Sequence, residues 1–421
     1  MTAPAAQDRD APQKASPWVI ALVIAIVMID SMGIGIIIPV TPALLLDVLP
    51  EATLAEAAIW GGVLTSLYAA MQFLFGPALG ALSDQVGRKP VLILSLFVMV
   101  IYYLIMGFAE VFWLLLLGRI IGGITSATYA TTSALMADIS THKERAARFG
   151  LLGAGFGMGF VLGPILGGVL GEWGARAPFF AAAALSFANL VLGIFILKET
   201  VTDKTRRRFE LSRANPLGAF RAVSKFQGLS PLLWVFLIYA IATAVYAAIW
   251  PYFTEERFSW SPGMIGLSLT IYGVCFAIVQ GALVRPAIKH FGEVKTVIIG
   301  VGFEIFSLTL MSLLTNGCIL LMLIPLASLG VIGQPALQAI LSTRVAQDSQ
   351  GMLQGLLSSL SAISMVIAPL VMTYVFAVFT DENAFVYYPG APFAASALLL
   401  LIGLLIFLQK SRQLPNTTQT V

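Results

Sequence analysis

Long apolar runs separated by short polar stretches set the pattern of this chain. The runs and their Gly, Pro and charged breakers predict helices near residues 18–40, 58–82, 90–109, 112–137, 146–171 and 177–197. A second set follows near 231–253, 263–289, 294–314, 317–342, 351–379 and 391–409. A bilayer-spanning helix needs about 20 apolar residues, and every run meets or approaches that length. Between the sets lies the most charged stretch, 198–230, with Lys198, Lys204, Arg206, Arg207, Arg208, Arg213, Arg221 and Lys225. The pattern predicts an all-α membrane protein of twelve transmembrane helices in two six-helix bundles. Its parts are a polar tail 1–17, a first bundle 18–197, a basic linker 198–230, a second bundle 231–409 and a tail 410–421.

Composition agrees. Of 421 residues, 58% are hydrophobic and 11% charged, against roughly 25% charged in soluble proteins, which excludes a water-soluble globule. Outer-membrane barrels show weak alternating segments instead of long continuous runs. The first apolar run has no cleavage site behind it and reads as a retained helix. The two cysteines, Cys275 and Cys318, lie in or beside apolar runs, so no disulfide framework is expected.

Charge sets the expected orientation. With both termini on one side, every Lys and Arg falls on that side except Arg176 and Arg257 opposite and Arg119 inside a helix. The positive-inside rule then makes both termini cytoplasmic, in the inner membrane of the cell. The net charge of +3 gives no sign of a nucleic-acid partner. No GxxxxGK[ST] loop is present, so ATP is not an expected partner. The two histidines, His142 and His290, fall in expected loops, which leaves an intramembrane protease, a haem pair or a His-ligated metal centre without its residues. The chain does not read as an enzyme.

Four features carry chemistry. The first cytoplasmic hairpin reads Gly80-Ala81-Leu82-Ser83-Asp84-Gln85-Val86-Gly87-Arg88-Lys89-Pro90, where glycines permit a tight turn and Asp84 and Arg88 are free to pair with groups on helix ends. Asp138, at the end of helix 4, is the expected partner of Arg88. Helix 4 holds a lone arginine, Arg119, which must face protein or water and find a partner. Helix 5 places Gly155, Gly159, Gly163, Gly167 and Gly171 four apart, with Pro164 and Gly168 alongside, so that one face lets another helix approach closely. Asp30, about 18 Å into helix 1, and Glu304, about 14 Å into helix 9, are intramembrane acids and functional candidates by default.

The hairpin resembles the signature loop of the major facilitator superfamily, G-x-L-[SA]-D-x-x-G-R-[RK]. The resemblance implies that Gly80, Asp84, Gly87, Arg88, Lys89 and Asp138 latch the two halves when the cavity faces outward. Leu117-Gly118-Arg119-Ile120-Ile121-Gly122-Gly123-Ile124 resembles the proton-transfer motif of helix 4. Gly159 to Gly168, with Gly163, Pro164 and Gly167, resembles the GPxxGG motif of drug/proton antiporters. Longer stretches are similar to tetracycline/proton antiporters: Asp30 to Gly35 with Pro39 and Pro42, Phe253 to Trp260 as an outer loop, Gln334 to Gln338, and Gln350 to Gly355. Tyr102 stands where those antiporters carry an aspartate in helix 3, and Glu304 where they carry one in helix 9.

In that fold, helices 1, 4, 7 and 10 line a central cleft, here offering Asp30, Thr125, Thr128, Thr132, Tyr239, Thr243, Tyr246, Gln334 and Gln338. Tyr68, Gln72, Tyr272 and Gln280 on helices 2 and 8 join them. A few polar groups in an aromatic and aliphatic wall suit a drug-sized amphiphile. The resemblance implies a monomeric secondary transporter that exports such a compound, of tetracycline type, against protons, with Asp30, Arg119 and Glu304 in the coupling. Its partners are the small molecule, protons and the bilayer. No resident cofactor or metal is expected; a divalent cation would travel as part of a chelated substrate. Two alternatives are a proton-coupled nutrient importer, opposed by the helix 5 motif, and a non-transporting receptor or lipid-handling protein, opposed by the intact Asp84/Arg88 pair.

Overall fold

A computed structural model describes residues 16–126, 128–203, 206 and 228–411. The tails 1–15 and 412–421 and most of the basic linker, including Lys204, Arg207, Arg208, Arg213, Arg221 and Lys225, lie outside the described residues. The first half is built from α1 (Pro17–Ile37), α2 (Thr41–Val48), α3 (Leu54–Val86), α4 (Arg88–Phe108), α5 (Phe112–Thr125), α6 (Thr128–Asp138), α7 (His142–Gly171) and α8 (Ala177–Ile196). The second comprises α9 (Ser230–Thr243), α10 (Val245–Phe258), α11 (Pro262–Ile278), α12 (Val284–Leu313), α13 (Gly317–Ser328), α14 (Gly333–Ser342), α15 (Gln350–Thr380) and α16 (Ala391–Ser411).

Helix starts follow their sequence signals. Thr53 with Glu56 and Thr141 with Glu144 form capping boxes, and Asn316 caps α13 through Cys318 and Ile319 N–H. Prolines open α1, α8, α9 and α11, where a missing N–H costs nothing.

Among the described residues, eleven helical runs are long and apolar enough to cross a membrane. One of them, Pro262–Leu313, has 52 residues, about 78 Å of helix against a hydrocarbon core of about 30 Å. It breaks at Gly292, whose φ of 76° and ψ of 166° are non-helical, and so supplies two crossings. Twelve crossings result among the described residues. The turn between the eighth and ninth is thus shorter than the loop the sequence suggests, and His290, expected in a loop, belongs to α12. The stretch from Phe253 to Phe258, expected as outer loop, continues α10 until Ser259 ends it in a left-handed conformation (φ 52°).

Four crossings are built from two shorter helices each: the first (α1 and α2, joined by a 3₁₀ turn at Ile38–Val40), the fourth (α5 and α6), the seventh (α9 and α10, at Ala244) and the tenth (α13 and α14, through Leu329–Ile332). These are the first helices of the four triplets. A broken helix at membrane depth is tolerated where protein or a water-filled cavity satisfies its freed backbone groups.

Both described ends of the chain lie at one end of the bundle, the near end; the far end carries the turns after α2, α4, α7, α10, α12 and α15. The halves meet along two seams, α3 against α15 and α7 against α11. At the far end these seams are closed to backbone contact. A Cβ on Gly62 would lie 2.9 Å from the Pro369 carbonyl oxygen, and one on Gly168 would lie 3.1 Å from Gly266 Cα and 2.7 Å from the Pro262 carbonyl oxygen. Towards the near end of the same helices, Gly76, Gly80, Gly150, Gly153, Gly157, Gly281, Gly351 and Gly355 have nothing within 4 Å of such a Cβ. One buried apolar cluster runs from Ile36, Leu45 and Leu64 in the first half to Tyr252, Phe253 and Phe376 in the second. The near part of the first half keeps a separate core of Leu22, Ile26, Leu92, Leu135 and Leu190. The molecule is closed at the far end and parted at the near end. Trp18, Trp113 and Trp173 remain highly exposed at the ends of their crossings, as interfacial aromatics are.

Candidate functional site

The glycine stripe of α7 positions the first acid. A Cβ on Gly163 would lie 2.5 Å from the Met32 carbonyl oxygen and 2.9 Å from Gly35 Cα, and Gly159 and Gly167 press equally closely on Met28 and Ile36. Only hydrogen side chains let α1 and α7 approach so near, as in other small-residue helix pairs. Ser31 Oγ then donates to the Phe156 carbonyl oxygen at 2.8 Å and sets the rotation of α1. Its neighbour Asp30 is partly exposed, makes no hydrogen bond or ion pair among the described residues, and lies within electrostatic range of Tyr68 and Tyr103. The helix packing and the acid are one construction: Gly159, Gly163, Pro164 and Gly167 hold α1, while Gly168 faces the other half at the α11 seam.

Arg119 lies on α5, 9% exposed. Its Nη1 donates to Tyr102 Oη at 3.2 Å, and its guanidinium carbon sits 5.7 Å from the centre of the Tyr68 ring. Nε has no partner, and Arg119 makes no ion pair among the described residues. Tyr68, Tyr102 and Tyr103 form a continuous aromatic layer, with ring centres 6.4 and 4.8 Å apart. An arginine placed mid-helix costs about 2.5–3.5 kcal/mol on insertion scales, so this partial set of neutral partners is notable chemistry.

Glu304 is 2% exposed on α12, with Oε2 unpartnered. It packs against the 3₁₀ break of the tenth crossing, where a Cβ on Gly330 would overlap its carboxylate. Tyr239, Tyr246 and Tyr272 surround it within electrostatic range; the last two stack with centres 5.7 Å apart. Although α12 supplies a third-of-triplet crossing, which is not among those expected to line the cleft, Glu304 is buried in the bundle.

The other expected cavity residues divide. Thr125, Thr132 and Thr243 donate to carbonyls of their own helices (Ile121, Thr128 and Tyr239, at 2.9, 2.7 and 2.9 Å). Thr128 is buried beside the break of the fourth crossing with its hydroxyl unpartnered. Tyr239 reaches the Gly330 carbonyl oxygen at 3.5 Å. Gln334 and Gln338 are partly buried on α14, Gln280 is partly buried in a π-helical turn (Val279–Leu283), and Gln72 is exposed.

At the near end, Arg88 binds Asp84 at 2.5 Å, Asp138 at 3.3 Å and Ser83 Oγ at 2.6 Å, all within the first half. Lys89 Nζ donates to the Ile194 carbonyl oxygen at 2.9 Å. Gly87, at φ 125°, turns the chain so that the N–H groups of Arg88 and Lys89 donate to Glu199 at 2.9 and 3.1 Å. Glu199 therefore caps α4 from the end of the sixth crossing. Sequence reasoning passed over it, although an acid just beyond an apolar run and opposite a basic hairpin was the available signal. At the far end Glu172 and Tyr252 were equally missed; Glu172 accepts the N–H of Gly263 across the seam at 2.8 Å.

The family model of the Major Facilitator Superfamily matches residues 20–249 and 232–420. The chain is 42% identical over 356 residues to the class C tetracycline resistance protein of Escherichia coli, which covers 85% of this chain and 89% of that protein. It is 38% identical to the class D tetracycline resistance protein of Salmonella ordonez, covering 93% of this chain and 97% of that one. Among solved structures, a bacterial homologue of the human lysosomal transporter Spinster, inward-facing and unoccupied, superposes with a TM-score of 0.73 at 16% identity, covering 94% of this chain and 98% of that one. Twelve crossings in two halves, broken first helices and these matches together place the chain in the major facilitator superfamily, in the branch of the tetracycline resistance proteins.

Proposed function

We propose that this protein exports a tetracycline-like amphiphile in exchange for protons by alternating access. The near end is the cytoplasmic side of the inner membrane, as the Lys and Arg distribution requires, so the described state opens to the cytoplasm and admits cargo. The observation that carries the reading is Asp30: a partly exposed acid midway through a broken crossing, held in place by the glycine stripe yet given no fixed partner. Such a group is free to take a proton in one facing state and lose it in the other. Cargo and proton each shift the equilibrium only by their differential affinity for the two states. Glu304, beside the break of the tenth crossing, is the second proton site, where loss of charge alters what packs against Gly330. Any divalent cation travels with the cargo as a chelate. The protein works as a monomer, since each chain contains both halves and the gap between them.

The test uses inside-out vesicles acidified within and a pH-sensitive dye. Tetracycline with magnesium is expected to release protons from vesicles carrying the normal protein and not from those carrying Asp30→Asn, while the variant retains counterflow. Silence of the folded normal protein towards tetracycline and a panel of amphiphilic drugs would overturn the reading.

A further inference from the structure

The stretch from Phe253 to Trp260 has no part in the export reading, yet its end walls a groove of about 510 Å³ at the far face of the second half. That volume lies within the range of small-ligand sites, roughly 300–1,000 Å³. Arg257 and Trp260 line it from the end of α10 and the turn that follows, Met264 from α11, and Asn316, Cys318 and Leu321 from the start of α13. Arg257 Nε donates to the Leu314 carbonyl oxygen at 3.2 Å, which holds the guanidinium against the turn between α12 and α13. Its Nη1 and Nη2 make no hydrogen bond or ion pair among the described residues. On the same turn, a Cβ on Gly317 would lie 2.8 Å from Trp260 Nε1, an indole N–H that is likewise without a partner there. No carboxylate lines the groove, and the acid next to Arg257, Glu256, accepts from Tyr387 Oη at 2.5 Å. The N–H groups of Cys318 and Ile319 are already taken by Asn316 Oδ1, so the charge of the groove is that of Arg257. The other arginine of the far side, Arg176, is paired with Asp47 at 2.7 Å.

We infer that this groove binds the phosphate diester of an anionic phospholipid in the outer leaflet, with Arg257 Nη1 and Nη2 on the phosphate oxygens and Trp260 Nε1 as a third donor. The inference rests on the orientation given above and not on the identity of the cargo. Two parallel N–H groups of one guanidinium match two oxygens of a phosphate. A zwitterionic head group would bring an ammonium or choline into a groove that offers it no carboxylate. The level is right: the seventh crossing, Ser230–Phe258, has 29 residues, about 44 Å of helix against a hydrocarbon core of about 30 Å, so its last turn stands in the head-group layer. An indole at that depth is equally at home. Below the groove a row of apolar residues continues from Met264 down α11. Leu267, Val274 and Ile278 follow at helical spacing and are 47%, 44% and 57% exposed. They occupy a different side of α11 from Gly266, which meets α7. An anion tethered to an acyl chain satisfies the guanidinium and covers this row together. Bound there, the lipid joins the turn after α10 to the turn before α13 and ties the far ends of the second half together from outside.

Cys318, exposed and part of the groove wall, reports on occupancy. The test uses the purified full-length chain carrying Cys275→Ser, which leaves Cys318 as its one thiol, and follows alkylation by a maleimide in non-ionic detergent. Phosphatidylglycerol is expected to slow the reaction several-fold at concentrations where phosphatidylcholine and inorganic phosphate do not. Arg257→Gln should raise the phosphatidylglycerol midpoint about tenfold or more, the worth of a charge-assisted hydrogen bond, and Arg257→Lys should raise it less. Trp260→Phe, which keeps a ring and loses the N–H, should raise it several-fold. These last two variants carry the test if Arg257→Gln does not fold. Equal slowing by phosphatidylglycerol and phosphatidylcholine, no slowing by either, or a midpoint unchanged in the folded Arg257 and Trp260 variants overturns the inference. Protection by inorganic phosphate as strong as that by phosphatidylglycerol would make the groove a site for free phosphate and overturns the lipid assignment. Because no transport is measured, failure here leaves the export reading standing, and failure of tetracycline export leaves the lipid site to be judged by this experiment alone.

Discussion

The carboxylate of Glu172, at the end of α7, accepts the backbone N–H of Gly263, at the start of α11, across the seam between the halves at 2.8 Å. Gly263 leaves no room for a side chain there, since a Cβ would lie 2.6 Å from Glu172 Oε1. A carboxylate on a helix N-terminus is stabilised by the unsatisfied N–H groups and the helix dipole. The Ser261 side chain, then the Gly263 N–H, hold the carboxyl below the usual range. Glu172→Gln is expected to shift the resting population several-fold towards the far-open state, read from electron-paramagnetic distances between labels at the far ends of α3 and α15.

The sign of its pH dependence follows. A carboxyl lowered in the closed state stabilises that state above its ordinary value of 4.5 and loses the contribution as pH falls through the lowered one. Well above 4.5, from about pH 6 to 8, the far seam should therefore be insensitive to pH in the normal protein at this contact. The same distance measurement, repeated across that range in Asp30→Asn with Glu304→Gln, should show no residual pH response from Glu172.

Two alanine substitutions on one helix separate packing from propensity. Gly163→Ala would drive a methyl into Met32 and Gly35 backbone, which cannot move aside, and should cost about 1–3 kcal/mol with loss of transport. Gly157→Ala meets nothing within 4 Å and should be neutral or stabilising by up to about 1 kcal/mol through helix propensity. Thermal unfolding in detergent distinguishes them: a lower Tm for the first only.

Glu199→Ala removes the cap of α4 and should cost about 1 kcal/mol, within the range for N-cap losses. Hydrogen exchange at the amides of Arg88 and Lys89 should rise while that of mid-helix α4 is unchanged. Equal exchange at both amides would show that Glu199 does not cap the helix.

Much of this was legible along the chain because the signals are local. Apolar runs separated by breakers gave all twelve crossings, the spacing of four gave the face of α7 that meets α1, and the rarity of charge inside apolar runs singled out Asp30, Arg119 and Glu304. Arg88 and Asp138, fifty residues apart, were paired correctly because both lie at helix ends on one side. Local signals fail where a partner is remote or where two partners compete. Glu199 reaches a helix start 111 residues earlier in the chain. Thr125, Thr132 and Thr243 were polar groups in the right crossings, yet their hydroxyls satisfy their own helices, which composition does not reveal.

The amino-acid sequence by itself determined that this protein lies in a membrane, how many times it crosses and which few charges enter the apolar layer. Those follow from the energy of moving residues out of water, which each segment meets largely alone. Only the tertiary structure decided which end is closed, that Arg119 rests on Tyr102 and Tyr68 instead of a carboxylate, and that Glu172 bridges the halves. These depend on the approach of helices far apart in sequence, set by the glycines at the seams, and the same residues would make different contacts once the halves rock.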